Sequence, residues 1–215
     1  MALFMPNFNL QHVPISTTQN RTQHCHIQST IEKRNSPFLV SWSFPPPGYV
    51  KINTDGSFMP KSGEAGYGVI ARDDKGMWLG GFCGRLDTKS TSSLTPELWA
   101  IHEALRQVKH CNLKKVIIET DSNEALMLIS RAKKVDANHP DHKVIEDCRI
   151  LLSEVETCLI HTLRQGNNCA DQLAKLGRKQ NQNSVILDHP PPFMHQWLLA
   201  DMSHVAYARY PKHAR

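Results

Sequence analysis

Residues 49–86 read YVKINTDGSFMPKSGEAGYGVIARDDKGMWLGGFCGRL, and this stretch decides the fold. Tyr49–Asp55 alternates apolar and polar side chains, as a half-buried strand does, and is expected to end at Gly56. Ala65–Arg72 and Met77–Leu86 read as two further strands, rich in β-branched and aromatic residues. Between them Asp73-Asp-Lys-Gly76 is a hairpin signal, a short polar loop ending in glycine. Three antiparallel strands in succession are the simplest arrangement.

Downstream the period changes. Thr95–His110 places Leu98, Ile101, Ala104, Leu105 and Val108 at helical spacing, with Thr95 expected to cap the helix and Pro96 to take its first position. Glu97 projects within that apolar stripe, where a carboxylate needs a partner. Lys115–Thr120 (KVIIET) is the continuous apolar run of a central strand, closed by Asp121-Ser122. Asn123–Arg131 and Pro140–Glu156 read as helices, Thr157–Arg164 as a last strand and Asn167–Gln180 as a last helix. The order β-β-β-α-β-α-α-β-α predicts an α/β fold. Its five-stranded mixed sheet has three antiparallel strands, then two parallel ones entered through helical crossovers, and helices flank it.

The chain has 215 residues, 40% hydrophobic and 21% charged, enough to bury a core without disulfides or metal staples. No run approaches the roughly 18 apolar residues of a membrane-spanning helix. The formal net charge is +5, yet residues 48–180 hold 19 basic against 17 acidic residues, too even for a broad phosphate-gripping face. Six cysteines without a C-x-x-C pair read as reduced thiols. Residues 1–41, with no acid before Glu32, read as a disordered leader or the remnant of a longer protein. Arg21 is the one Lys or Arg before Lys33, which makes a transit peptide the weaker reading and puts nucleus or cytoplasm ahead of an organelle. The string His24-Cys25-His26 would bind a metal only with ligands from elsewhere. Residues 42–49 read as a Pro-rich linker, 50–182 as the domain, and 183–215 as a C-terminal extension whose Trp197–Ala200 run is expected to pack back.

Asp55, Glu97, Asp121 and Asp171 stand at expected element ends. Each has a bland explanation: a turn former before glycine, a helix cap, or a charge opposing a helix dipole. Together they would converge on one sheet edge and repel strongly unless cations neutralised them. Oxygen ligands select hard ions such as Mg²⁺ or Mn²⁺, and a cage holding two of them suits attack of water on a phosphodiester.

The strings KINTDGS (51–57), GYGVIARD (66–73), PELWA (96–100), IETDS (118–122) and RQGNNCADQLAK (164–175) carry a family resemblance. In this order, and preceded by Trp42…Pro-Pro…Gly48, they resemble the type 1 ribonuclease H domain of plant retrotransposon-derived, reverse-transcriptase-associated proteins. The resemblance covers about residues 42–200. It implies a ribonuclease H-like fold and a metal-dependent endonuclease that cuts the RNA strand of an RNA–DNA hybrid, leaving a 5′-phosphate and a 3′-hydroxyl. It implies Asp55, Glu97, Asp121 and Asp171 as ligands of two Mg²⁺ or Mn²⁺ ions, with Asp55 bridging both. Arg164 is expected to assist product release, with His161 as its rival. Glu97 also suits a contact to the 2′-hydroxyl. Ser57, Ser122, Asn167 and the 90–95 loop are candidates for sugar or phosphate contacts. A basic substrate-gripping protrusion is not evident beyond Arg131, Lys133 and Lys134, so hybrid binding is expected to be weak and salt-sensitive. A monomer acting on a hybrid, without a membrane, is expected. Other nucleases fit worse: a DEDD exonuclease needs an acid where Ser57 stands, and a transposase or integrase a late glutamate where Asp171 stands. The alternative is a catalytically silent nucleic-acid- or protein-binding module derived from a retroelement.

Overall fold

The computed structural model describes residues 37–87 and 92–210. In chain order the elements are β1 Phe38–Val40, β2 Val50–Met59, β3 Glu64–Arg72, β4 Trp78–Arg85, α1 Leu94–His110, β5 Val116–Thr120, α2 Asn123–Ile129, α3 His142–Glu154 and β6 Thr157–His161. A 3₁₀ turn at Arg164–Gly166 follows, then α4 Asn168–Lys179, β7 Val185–Leu187, a second 3₁₀ turn at Pro192–Met194, α5 His195–Met202 and β8 Tyr207–Arg209.

The five expected strands form the sheet as expected: β2, β3 and β4 are antiparallel, and β5 and β6 add in parallel on the other side of β2. A sixth strand, β7, joins the far edge antiparallel to β4, giving the order β6-β5-β2-β3-β4-β7. β1 and β8 pair as a separate ribbon. These additional strands are three residues each, too short to show a period.

Alternation along β2 assigns its two faces. Val50 and Ile52 join the larger core, packed with Leu98, Ile101 and Leu105 of α1. Lys51, Asn53 and Asp55 face the opposite side, where α4 lies. There Ile70, Cys169, Leu173, Met194 and Leu198 form a smaller core, so the 3₁₀ turn and α5 of the C-terminal extension do pack back.

Several expected boundaries shift. β2 does not end at Gly56, because Gly56–Met59 stay in register with Tyr67–Glu64, so Asp55 is a mid-strand residue. α1 starts at Leu94 with no side-chain cap bond, which makes Thr95 its second residue rather than its cap, and Pro96 its third. Proline is tolerated there because the first backbone N–H groups of a helix have no intrahelical acceptor. The last expected strand stops at His161, short of Arg164, and α2 stops at Ile129, before Arg131 turns to a φ of 63°. Trp42, in the Pro-rich stretch, is 1% exposed and lies over Arg72. Among the described residues the cysteines are free, and no helix is long and apolar enough to cross a membrane. Residues 1–36, with His24-Cys25-His26, lie outside the described residues, as do 88–91.

Candidate active site

Two neighbouring parallel strands present the first acids. Thr54 pairs with Thr120, so Asp55 on β2 lies beside Asp121, the residue that follows β5. Helix α1 brings Glu97. A Cβ at Gly56 would overlap the backbone nitrogen of Glu97, so only glycine lets the first turn of α1 lie against β2. The Gly56 N–H donates to the Glu97 carboxylate. One carboxylate oxygen from each of Asp55, Glu97 and Asp121 lies within 4.8 Å of the other two, close enough for the three to hold a metal ion together.

Helix α4 brings the fourth acid. It presses on β3 at the G-Y-G string, where a Cβ on Gly68 would overlap the backbone nitrogen of Ala174. This close seat turns Asp171 into the same cleft, 8% exposed. Asp171 stands apart from the group of three: it accepts from Lys175, from Gln172 Nε2 at 3.0 Å and from Arg164 Nη2 at 3.5 Å.

Burial pushes the Asp55 carboxyl well above the usual range, and the charges of Glu97, Asp121 and Asp171 add to it. Glu97 is also pushed well up, first by burial and then by Asp121, with the Gly56 N–H and Arg164 pulling the other way. Its Oε2 is buried and has no hydrogen-bond partner among the described residues. Partial burial works against the Arg164 charge, but Asp171, Asp55 and Asp121 outweigh it and hold the proton more firmly than usual. The carboxylate group therefore calls for a proton or a cation. Its all-oxygen donor set and the unpaired Oε2 fit a hard divalent ion.

The acids open into a cleft of about 500 Å³. Arg164 lines it, whereas His161 ends β6 on the exposed sheet edge and is not among its lining residues. Ser57 lines it and accepts from Arg178 Nε at 3.1 Å. Among the described residues of the 90–95 loop, Ser93 lines it. Two other candidates are not brought there. Ser122 caps α2 through the Ala125 N–H at 3.3 Å. Asn167, 1% exposed, donates to the Thr54 carbonyl at 2.9 Å and so holds the start of α4 to β2. Lys133 pairs with Glu124 on the surface rather than in the cleft. Sequence reasoning missed the basic wall of Lys175, Arg178 and Lys179. Its signal was present, since positions 175 and 178 follow Asp171 at helical spacing.

The fold is that of ribonuclease H. The N-terminal RNase H domain of Rv2228c from Mycobacterium tuberculosis superposes with a TM-score of 0.54 at 22% identity, over 60% of this chain and 93% of its own. RNase H1 from the archaeon Halobacterium salinarum gives 0.53 at 22%, over 60% and 97%. LC11-RNase H1, solved in complex with an RNA/DNA hybrid, gives 0.51 at 22%, over 59% and 94%. Residues 53–177 match the reverse transcriptase-like family, and the chain belongs to it. The Arabidopsis thaliana protein named "Putative ribonuclease H protein" is 29% identical over 164 residues, 76% of this chain. The chain spans only about a quarter of that relative's length.

Proposed function

We propose that this domain is a divalent-metal-dependent endonuclease that hydrolyses the RNA strand of RNA–DNA hybrids. The observation that carries the reading is the convergence of Asp55, Glu97 and Asp121 within 4.8 Å, none of them in a salt bridge among the described residues. Membership of the reverse transcriptase-like family supports it, as does the likeness to the Arabidopsis relative.

Asp55, Glu97, Asp121 and Asp171 would hold two Mg²⁺ or Mn²⁺ ions. Bound there, the ions would neutralise phosphate charge and ready a water for in-line hydrolysis to a 5′-phosphate and a 3′-hydroxyl. The remaining work falls to this chain's own side chains. Asp55, beside Asp121 on the neighbouring strand and next to Gly56 against Glu97, would suit a ligand shared by both ions. Glu97, partly open to the cleft, suits recognition of the 2′-hydroxyl that separates RNA from DNA. Arg164 suits stabilising and then releasing the cut phosphate. Lys175, Arg178 and Lys179 offer the wall to backbone phosphates, with Ser57 orienting Arg178. Hybrid binding should therefore weaken steeply with salt.

The test is cleavage of a strand-labelled RNA–DNA hybrid by the full chain with Mg²⁺, Mn²⁺ or EDTA, beside Asp55→Asn. Cutting confined to the RNA strand, and lost with EDTA or in the variant, is the expected result. A folded protein that binds the hybrid but cuts it with neither ion would instead be a silent binding module.

A further inference from the structure

The segments that flank the family-matched residues 53–177 fold back and meet behind the turn that carries Arg164. β1 and β8 pair through Phe38↔Arg209, Leu39↔Ala208 and Val40↔Tyr207. Buried polar contacts seat this ribbon on the sheet. Trp42 donates from Nε1 to Asn53 at 3.1 Å and lies 3.8 Å from the Arg72 guanidinium, which pairs with Asp201 of α5 at 2.6 Å.

From that seat the ribbon reaches the 3₁₀ turn. Arg209 Nη1 donates to Gln165 Oε1 at 3.0 Å, and Gly166 backs onto Ser41, whose carbonyl would lie 3.4 Å from a Cβ there. Asn168 at the start of α4 holds the Gln165 carbonyl at 2.9 Å, and Asn167 ties the end of the turn to the acid strand by donating to the Thr54 carbonyl, next to Asp55. Arg164 leaves this turn with its side chain 73% exposed, 3.5 Å from Asp171. So exposed a side chain keeps much rotamer freedom, and the turn's backbone is what limits where its guanidinium can reach.

We propose that the β1–β8 ribbon, acting through Arg209 and Gln165, holds the Arg164 turn in register with the acid cleft. Neither residue lines the cleft, so both are positioning residues that act through Arg164. The inference rests on the nuclease reading only for its kinetic consequence. Small displacements of a group that contacts the reacting phosphate are expected to reduce turnover more than affinity.

The test compares the full chain with Arg209→Ala and Gln165→Ala. Gln165→Ala removes the contact without touching the ribbon, which covers the case in which Arg209→Ala unravels it. Without substrate or metal, amide exchange is followed at Gly166 and Asn167, whose N–H groups donate to the Leu163 and Arg164 carbonyls. Exchange should quicken about fivefold, as loss of one hydrogen bond of ordinary strength allows, while β2 and β5 amides stay unchanged. On hybrid, kcat should fall about fivefold with KM nearly constant. Arg209→Lys should restore part of the loss, and Arg209→Ala should add nothing in an Arg164→Ala background. Unchanged exchange in both variants would overturn the proposal, as would an undiminished effect of Arg209→Ala when Arg164 is absent. A wild-type chain that does not cleave would remove the nuclease reading, and the exchange measurement would still decide for or against the ribbon's grip.

Discussion

On the α4-facing side of β2 and β5, Asn53 and Glu119 lie one same-face step along the strands from Asp55 and Asp121, and Lys51 lies two. Glu119 is 6% exposed, and both of its oxygens are answered: Lys51 lies 2.6 Å from Oε1 and Asn53 donates to Oε2 at 2.9 Å. Asp201 is likewise buried and paired to Arg72 at 2.6 Å. Asp55 is 3% exposed, yet its nearest charged neighbours are acids. Burial alone therefore does not mark the site. What marks it is a carboxylate group that no salt bridge answers among the described residues, with Arg164 acting only from the cleft wall, beside one whose counter-charge the fold pairs directly.

The sharpest way to break that contrast is to neutralise one member of each group. Asp55→Asn should abolish cleavage, by about 10³-fold or more, because on the proposed reading it removes the ligand that both ions would share. It should also stabilise the metal-free protein, by about 0.5–2 kcal/mol, because a repelling buried charge is gone. Glu119→Ala should do the reverse. It strands Lys51 in the interior and should lose about 3–5 kcal/mol in urea unfolding, while the folded fraction still cuts. Equal tolerance of the two substitutions would erase the distinction.

A pH series sharpens the same contrast. The folded pKa values of Asp55 and Glu97 are raised, so between the ordinary carboxylate range and those raised values the folded state holds more protons than the unfolded one. Their contribution is fully present below about pH 4 and is lost as pH rises through the raised values. In EDTA, the gap in Tm between Asp55→Asn and wild type should therefore widen from pH 5 to pH 8. One kcal/mol corresponds to about 2–4 °C at this size. Mg²⁺ should raise the wild-type Tm more at pH 8 than at pH 5, because binding displaces protons. A gap that stays constant with pH would mean that the Asp55 charge does not destabilise the metal-free fold.

The meander and the four acids were legible because their signals are local. Alternation assigns the faces of β2, and Asp121 stands directly after the apolar run of β5. Asp55 reads as a strand end because Gly56-Ser57 look like a turn, whereas the pairing that continues the strand comes from residues 64–67. The paired cluster was not legible. Arg72 and Asp201 are 129 positions apart, and Trp42 sits in a Pro-rich stretch with no period to reveal an inward side chain. Lys175 and Arg178 lie between these cases. Their spacing from Asp171 is visible, but the same spacing describes any solvated helix face.

Lys175 also supplies the mildest probe, because Asp171 belongs to neither group cleanly. It faces the cleft with the unpaired acids, yet it accepts from Lys175 one helical turn on and lies 3.5 Å from Arg164. On the proposed two-ion reading, an ion that recruits Asp171 would displace that ammonium, so Lys175 would compete with the weaker of the two sites. Lys175→Gln keeps the length and removes the charge. Titration of the substrate-free protein with Mn²⁺ should then show the weaker site tightened by about two- to fivefold or more, since an exposed pair is worth about 0.2–1 kcal/mol and here Lys175 is half-exposed while Asp171 is buried. The tighter site, on Asp55, Glu97 and Asp121, should hold its affinity. Hybrid binding should lose about one phosphate contact from its salt dependence. Unchanged Mn²⁺ binding at both sites would mean that Asp171 is satisfied by its own helix as Glu119 is by Lys51, leaving three carboxylates rather than four to bind the ions.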